Sequence, residues 1–342
     1  MVRNSSFELL RIISITLIVL CHICALLDWS VALPLNKWVV GGANSIGSFA
    51  VCCFVLISGY FGVSFKWKRF IELIIVTTVY CTIVAAFRFG NSPIELLKAF
   101  ITVPSYSMWF IACYLGLMPL SPFINKFVSQ LSVKEFRLLL AIMFVFFSLF
   151  PTVTIIGATN GVILRNGGKC LTYFMFLYIV GRYIRLHNDK SYNRWYLWLI
   201  HLTCVAIILL LNMVGSTIIH DRCVYAGYDC SPISLMSSLC IFYLFKSWNF
   251  HNSFINWVAK SAFAVYLLSN IYFFIDDKYI HLVNYSNQTK FSLYLLILLV
   301  LSWIFSLIID KTIGVLINKG VSSFVDKAKS KVVDSKIYKS LF

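Results

Sequence analysis

The chain is a succession of long apolar runs separated by short polar breaks. Ten runs stand out: 7–27, 44–64, 70–87, 108–124, 138–156, 171–184, 195–213, 231–245, 255–275 and 291–309. A hydrocarbon core about 30 Å thick takes about 20 residues of helix to cross. Most runs reach that length. The runs 171–184 and 231–245 fall short, so nine or eleven spans fit the pattern as well as ten. The break at 92–100 is amphipathic and too short to cross, which predicts a helix lying at the interface. The expected fold is all-α, a polytopic transmembrane helical bundle of about ten spans over residues 1–310. A basic cytoplasmic tail is expected over 311–342. The first run is too long for the apolar core of a signal peptide, and no small-x-small site follows it, so it reads as a retained span.

Composition agrees with a lipid environment. Of 342 residues, 60% are hydrophobic and 12% charged, and the mean hydropathy is +0.85. A soluble domain carries about 25% charged residues. The net charge of +16 would suggest nucleic acid in a soluble protein. Here the cations lie between apolar runs, so they read as topological markers, and the bilayer, with no nucleic acid, is the expected partner. With the N-terminus inside and the runs alternating, 21 of the 29 Lys and Arg fall inside. Eight fall outside: Lys37, Arg88, Lys98, Arg165, Lys169, Arg222, Lys278 and Lys290. Positive loops stay cytoplasmic, so both termini are expected inside, with the tail lysines on anionic lipid.

Eleven cysteines sit mostly inside apolar runs, where they act as small hydrophobes. Cys21-His22-Ile23-Cys24 has metal-like spacing, but no second ligand pair matches it, and no metal site is expected. Cys223 and Cys230 share an expected external loop, and their pairing is left open.

The chemistry-bearing residues begin in the first run. Ser5 and Glu8 fit a capping box, and Glu8 stands three residues before Arg11, within pairing reach. Arg11 and His22 are eleven residues apart, which puts them within roughly 20° on one helix face and roughly 16 Å apart along the axis. Arg11 alone would snorkel to the headgroups, and His22 alone would be a satisfied interior histidine. On one stripe, with Ser14 and Thr16 near, they point to a functional face opening into one protein-enclosed polar channel. Ser58, Gly59 and Tyr60 end the second run, and Lys66, Lys68 and Arg69 follow where a cytoplasmic anion would arrive. Trp109 opens the fourth run as a pocket residue or an interfacial anchor. Pro119 and Pro122 predict a kinked exit. Tyr266, Ser269 and Asn270 form a polar patch that serves equally as glue between helices. His201 has no polar neighbour on its face and reads as structural.

Taken in order, these motifs resemble the acyltransferase-3 family of integral membrane acyltransferases. Arg11 and His22 match its Arg–ten residues–His pattern, and Phe54 to Tyr60 its aromatic-x-Leu-x-Ser-Gly-Tyr/Phe motif. Lys66 to Arg69 resemble its basic stretch, Trp109-Phe110-Ile111 with Tyr114-Leu115 its Trp-led helix start, and Ser261 to Ser269 its late Tyr-Leu-Ile-His segment. Two positions depart. Cys21 precedes a single His22 where many members have paired histidines, and Ser269 stands in place of the late histidine.

The resemblance implies an enzyme of the bacterial plasma (inner) membrane, an O-acetyltransferase in its simplest form. It would move an acyl group, most simply acetyl, from cytoplasmic acyl-CoA to a cell-surface or lipid-linked saccharide. No cofactor would be permanently bound; acetyl-CoA is a donor substrate. Arg11, Lys68 and Arg69 would meet its phosphates, since guanidinium suits phosphate. His22 would act as general base or be acylated first. Ser58, Gly59, Tyr60, Trp109, Tyr114 and Tyr266 would line the substrate pocket. The competing reading is a transporter or flippase of lipid-linked glycans. Proton-coupled carriers hold acidic residues mid-membrane; of the thirteen here, Glu72 comes nearest and sits at a span end. A scaffold would not need His22.

Overall fold

The computed structural model describes residues 4–90, 92–101, 109–155, 166–188 and 190–333. Arg3, Arg165, the start of the fourth run at Met108, and the tail lysines Lys336 and Lys339 lie outside them. The described residues form helices with no strand among them.

Helix α1 (Ser5–Ile23) runs unbroken from before Arg11 to beyond His22, so the shared face is preserved. Its start differs from the expected capping box. Asn4 is the cap, its side-chain oxygen accepting from the Ser6 N–H at 3.0 Å. Ser5 is taken by tertiary contacts instead: its hydroxyl donates to Asn256 Oδ1 at 3.0 Å and accepts from the Asn252 N–H at 2.8 Å. Glu8 Oε1 accepts from Arg11 Nη1 at 2.8 Å.

Helices α2 (Pro34–Gly47) and α3 (Ala50–Phe61) together make one apolar crossing, Pro34–Phe61. It begins ten residues before the expected 44, because polar residues in α2 hide it from a hydropathy reading. Asn36 is fully buried there; its amide donates to the Ser286 and Gln288 carbonyls at 2.9 and 2.8 Å. Both amide protons are thus satisfied, as buried donors generally are, and their partners lie some 250 residues downstream.

Next come α4 (Trp67–Phe89), the amphipathic α5 (Pro93–Ile101), α6 (Trp109–Ser129), α7 (Val133–Phe144) and α8 (Phe150–Ile155). Helix α6 passes through Pro119 and Pro122 as a single helix. Pro122 has no N–H for the Met118 carbonyl; the Ser121 hydroxyl donates to that oxygen at 2.7 Å instead.

Helix α9 (Leu171–His187) packs closely on α3. A methyl at Gly59 would lie 2.2 Å from the Tyr178 carbonyl oxygen, and one at Gly181 would lie 2.5 Å from the Leu56 oxygen. Backbone meets backbone here, as small residues allow in membrane helices. Helices α10 (Arg194–Ile219), α11 (Pro232–Lys246) and α12 (Ser253–Ala259) follow. His201 on α10 is buried and bonded through Nδ1 to Ser237 Oγ at 2.9 Å, a packing role.

The run expected at 255–275 is bent. Helices α13 (Ala262–Leu268) and α14 (Ile271–Ile275) meet at Ser269-Asn270, where the path turns by 68°. Helix α15 (Phe291–Ile309) continues through a π turn at Asp310–Gly314 into α16 (Val315–Val333). Asp310 ties three elements together, accepting from the Tyr80 hydroxyl at 2.8 Å and the Ser261 hydroxyl at 2.6 Å. Helix α16 packs along α4 with Val321 and Val325 buried, so the described part of 311–342 is helix laid on the bundle.

Among the described residues seven helices are long and apolar enough to cross a membrane, eight if the bent pair counts as one. The two short runs form α9 and α11, of 17 and 15 residues. The chain is an all-α, multi-pass membrane protein. All eleven cysteines are free; Cys223 and Cys230 are not bridged.

Candidate active site

Two cavities meet inside the bundle, and α1 forms a wall of both. Arg11, Ile15 and Ile18 face one; Ile18, Cys21, His22 and Ala25 face the other. The steps of four, three, four and three residues from Arg11 to Ala25 trace one face of a helix. The expected single channel is therefore divided. Ile18, Phe110 and Tyr266 line both cavities and form the partition. Phe110 and Tyr266 lie ring to ring at 5.5 Å, and Phe110 also meets Phe54 and Tyr114. Bulky side chains at the crossing of α1, α6 and α13 close what a stripe on α1 alone leaves open.

The Arg11 cavity encloses about 320 Å³. Its walls are mostly apolar and aromatic, with Phe54, Leu73, Phe110 and Phe263 prominent. Its polar features are Arg11, Ser58, Tyr114 and the edge of Tyr266. Arg11 is held by Glu8 yet remains about 30% exposed.

The His22 cavity is about twice as large, about 620 Å³, and more of its wall is polar than in the Arg11 cavity. Among the described residues no side chain hydrogen-bonds the His22 ring, in contrast to His201. Trp109 forms part of the wall, with Lys169 Nζ 5.6 Å from its ring centroid. Asn44, Asn212 and Asn270 contribute amides. Asn270 reaches this position because the helix breaks beside it. Ser269, by contrast, turns its hydroxyl to the Tyr266 carbonyl at 2.7 Å and is buried. Lys169 and Arg222 lie close enough to act on His22 electrostatically. Asp229, in the connection between α10 and α11, is the one carboxylate on either cavity's wall among the described residues. Its surroundings desolvate it and Lys169 offsets only part of that, so its pKa is pushed up to about 6.

The remaining expected site residues lie elsewhere. Gly59 sits in the α3–α9 contact. Tyr60 is buried among Phe7, Phe61 and Phe242, its hydroxyl accepting from Arg185 at 3.2 Å. Lys68 pairs with Asp326 at 2.6 Å and approaches Glu72 at 3.9 Å. Arg69 is exposed on α4. None of these four lines either cavity. Cys21, beside His22, lies near the Ala43 carbonyl at 3.7 Å, and Cys24 is fully buried.

Several lining residues escape sequence reasoning: Asn44, Arg88, Lys169, Arg222 and Asp229. Only one sequence feature marks any of them. Arg88, Lys169 and Arg222 are three of the eight cations that the charge count expects outside.

Residues 4–310 match the model of a family described as an acyltransferase domain. No curated protein and no solved structure matches the chain.

Proposed function

The chain belongs to the acyltransferase-3 family, and from that premise we propose that it is an integral membrane O-acyltransferase of the bacterial plasma membrane. The donor is cytoplasmic acyl-CoA, most simply acetyl-CoA, and the acceptor is a hydroxyl of a cell-surface or lipid-linked saccharide. The observation that carries this reading is the placement of His22. It stands in a cavity large enough for sugar units, unbonded by any described side chain, and one partition away from a second cavity containing Arg11.

In this reading the Arg11 cavity takes the pantetheine arm. Its apolar walls suit a chain of methylenes and amides, and Arg11 offers a guanidinium to an anionic group at the entrance. The roughly 16 Å from Arg11 to His22 is a length such an arm can span. Lys68 and Arg69 lie outside this cavity and serve at most in first encounter with the phosphates.

The acceptor hydroxyl enters the His22 cavity. The imidazole takes its proton as the oxygen attacks the thioester carbonyl. The carbon–oxygen bond forms, the carbon–sulfur bond breaks, and the imidazolium returns the proton to the leaving thiolate. The products are the O-acyl saccharide and free coenzyme A. An acyl-imidazole intermediate would use the same atoms in two steps. On either route the carbonyl must pass Ile18, Phe110 and Tyr266, so a side chain of the partition rotates during turnover.

The test is labelled acetyl-CoA supplied to membranes carrying the wild-type chain or His22→Ala. Label should enter glycan with the former and not the latter. Glycan crossing the bilayer without label would instead make the chain a carrier. Full labelling by His22→Ala would remove the histidine mechanism.

A further inference from the structure

The charge around the His22 cavity is not accounted for by topology. The positive-inside pattern explains cations on the cytoplasmic face. Arg88, Lys169 and Arg222 fall on the opposite face in that count, yet all three line this one cavity. They come from three separate connections: the end of α4, the turn before α9, and the segment after α10. Nothing local in the sequence brings them together.

Nor are they matched by carboxylates among the described residues, where Asp229 alone acts on Lys169. Among the described residues none of the three forms a salt bridge. Arg88 lies over the Phe273 ring at 4.1 Å and Lys169 over Trp109 at 5.6 Å. Such contacts hold a cation in place while leaving most of its hydrogen-bonding capacity unused. Arg222 gives one amino group to Asn44 Oδ1 at 2.9 Å. Its Nε is buried and lacks a hydrogen-bond partner among the described residues. A buried donor without a partner is costly unless a ligand supplies one. Among the described residues Asp229 is the only carboxylate on the wall, one negative charge against three positive. Snorkelling to outer headgroups would explain an exposed Arg88 alone. It does not explain Arg222, half-buried beside Asn44.

We propose that the His22 cavity binds an acceptor carrying an oxyanion, phosphate or carboxylate, and that Arg222, Lys169 and Arg88 recognise it. This rests on the acyltransferase reading and adds the acceptor's charge to it. Two sources supply that chemistry: the diphosphate that links a glycan to its lipid carrier, or an acidic sugar beside the acylated one. Guanidinium forks suit both.

The experiment uses the full chain in phosphatidylcholine nanodiscs and reads tryptophan fluorescence, Trp109 being part of the wall. Two matched pairs serve as probes: geranyl diphosphate against geraniol, and a glucuronate disaccharide against the corresponding glucose disaccharide. At least one anionic member should bind about tenfold or more tighter than its neutral counterpart, the value of one charge-assisted contact. Preference for the diphosphate identifies the lipid linker; preference for glucuronate identifies an acidic sugar. Arg222→Gln with Lys169→Gln should bring the pair to within about twofold. If that variant does not fold, Arg88→Gln with Lys169→Gln, both at exposed positions, should reduce the preference at least about threefold.

No anionic preference in the wild type overturns the proposal, as does a preference that survives the folded variants. Label transfer from acetyl-CoA is measured in parallel. Transfer without anion preference removes this inference and leaves the transferase reading. Preference without transfer does the reverse.

Discussion

The two cavities share a helix and a partition but differ in nearly everything else. The Arg11 cavity is small and mostly apolar, and the one cation among its described lining residues is already paired with Glu8. The His22 cavity is about twice as large, with three cations, a carboxylate and three side-chain amides. A smooth path for one substrate would have walls of similar character throughout. Two dissimilar chambers meeting at three bulky side chains suit two dissimilar substrates whose reacting atoms meet at the wall. In the proposed reading the apolar chamber takes the donor arm and the more polar chamber takes the sugar.

The largest expected effect comes from the group that distinguishes the second chamber chemically. His22→Ala should reduce transfer about a hundredfold to ten-thousandfold, as loss of a general base does, with donor binding unchanged. If binding falls as well, the chambers are not separate in function. Next is the partition. Ile18→Trp adds bulk facing both chambers and should cost about a hundredfold in kcat by displacing the reacting atoms, while each substrate still binds. Loss of donor binding with unchanged kcat would place the reacting atoms away from the partition.

A smaller change is expected in the first chamber. Arg11→Ala should raise the donor KM about tenfold and leave acceptor KM and kcat nearly unchanged. An acceptor effect instead would reverse the assignment of the chambers.

The smallest effect is a pH dependence confined to the second chamber. Because the Asp229 pKa is pushed up to about 6, the carboxylate is mostly ionised at pH 7 and mostly neutral at pH 5. Its negative charge opposes an anion, so glucuronate binding should tighten about threefold as pH falls through 6. The glucuronate carboxylate stays ionised across that range. Asp229→Asn should bind as tightly at pH 7 as the wild type does at pH 5 and lose this part of the pH dependence. Titrating both chains by fluorescence decides it; identical profiles would leave Asp229 without influence on the ligand.

The parts legible in the sequence are those that depend on short-range geometry. The membrane class follows from run length and scarcity of charge. The common face of Arg11 and His22 follows from helical periodicity, since α1 is unbroken between them. Gly59, expected in the substrate pocket, instead lets α3 meet the α9 backbone at Tyr178. Neither Gly59 nor Gly181 announces that contact, because helix pairing leaves no mark within either segment. The Ser5–Glu8 cap fits the local pattern, but Ser5 is drawn away by Asn252 and Asn256. Lys68 and Arg69 lie in a plausible place along the chain, but Lys68 meets Asp326, 258 residues later.

By itself, then, the sequence determined the solvent of this protein, its helical content and the one helix that carries both a guanidinium and an imidazole. Those properties come from local periodicity and from the cost of placing charge in hydrocarbon, and both act within about 20 residues. Only the tertiary structure decided that the helix borders two chambers rather than one channel, that Phe110 and Tyr266 close the passage, and that three distant cations converge beside His22. Packing between helices remote in sequence brings such groups together, and no short stretch of chain encodes which helix will face which.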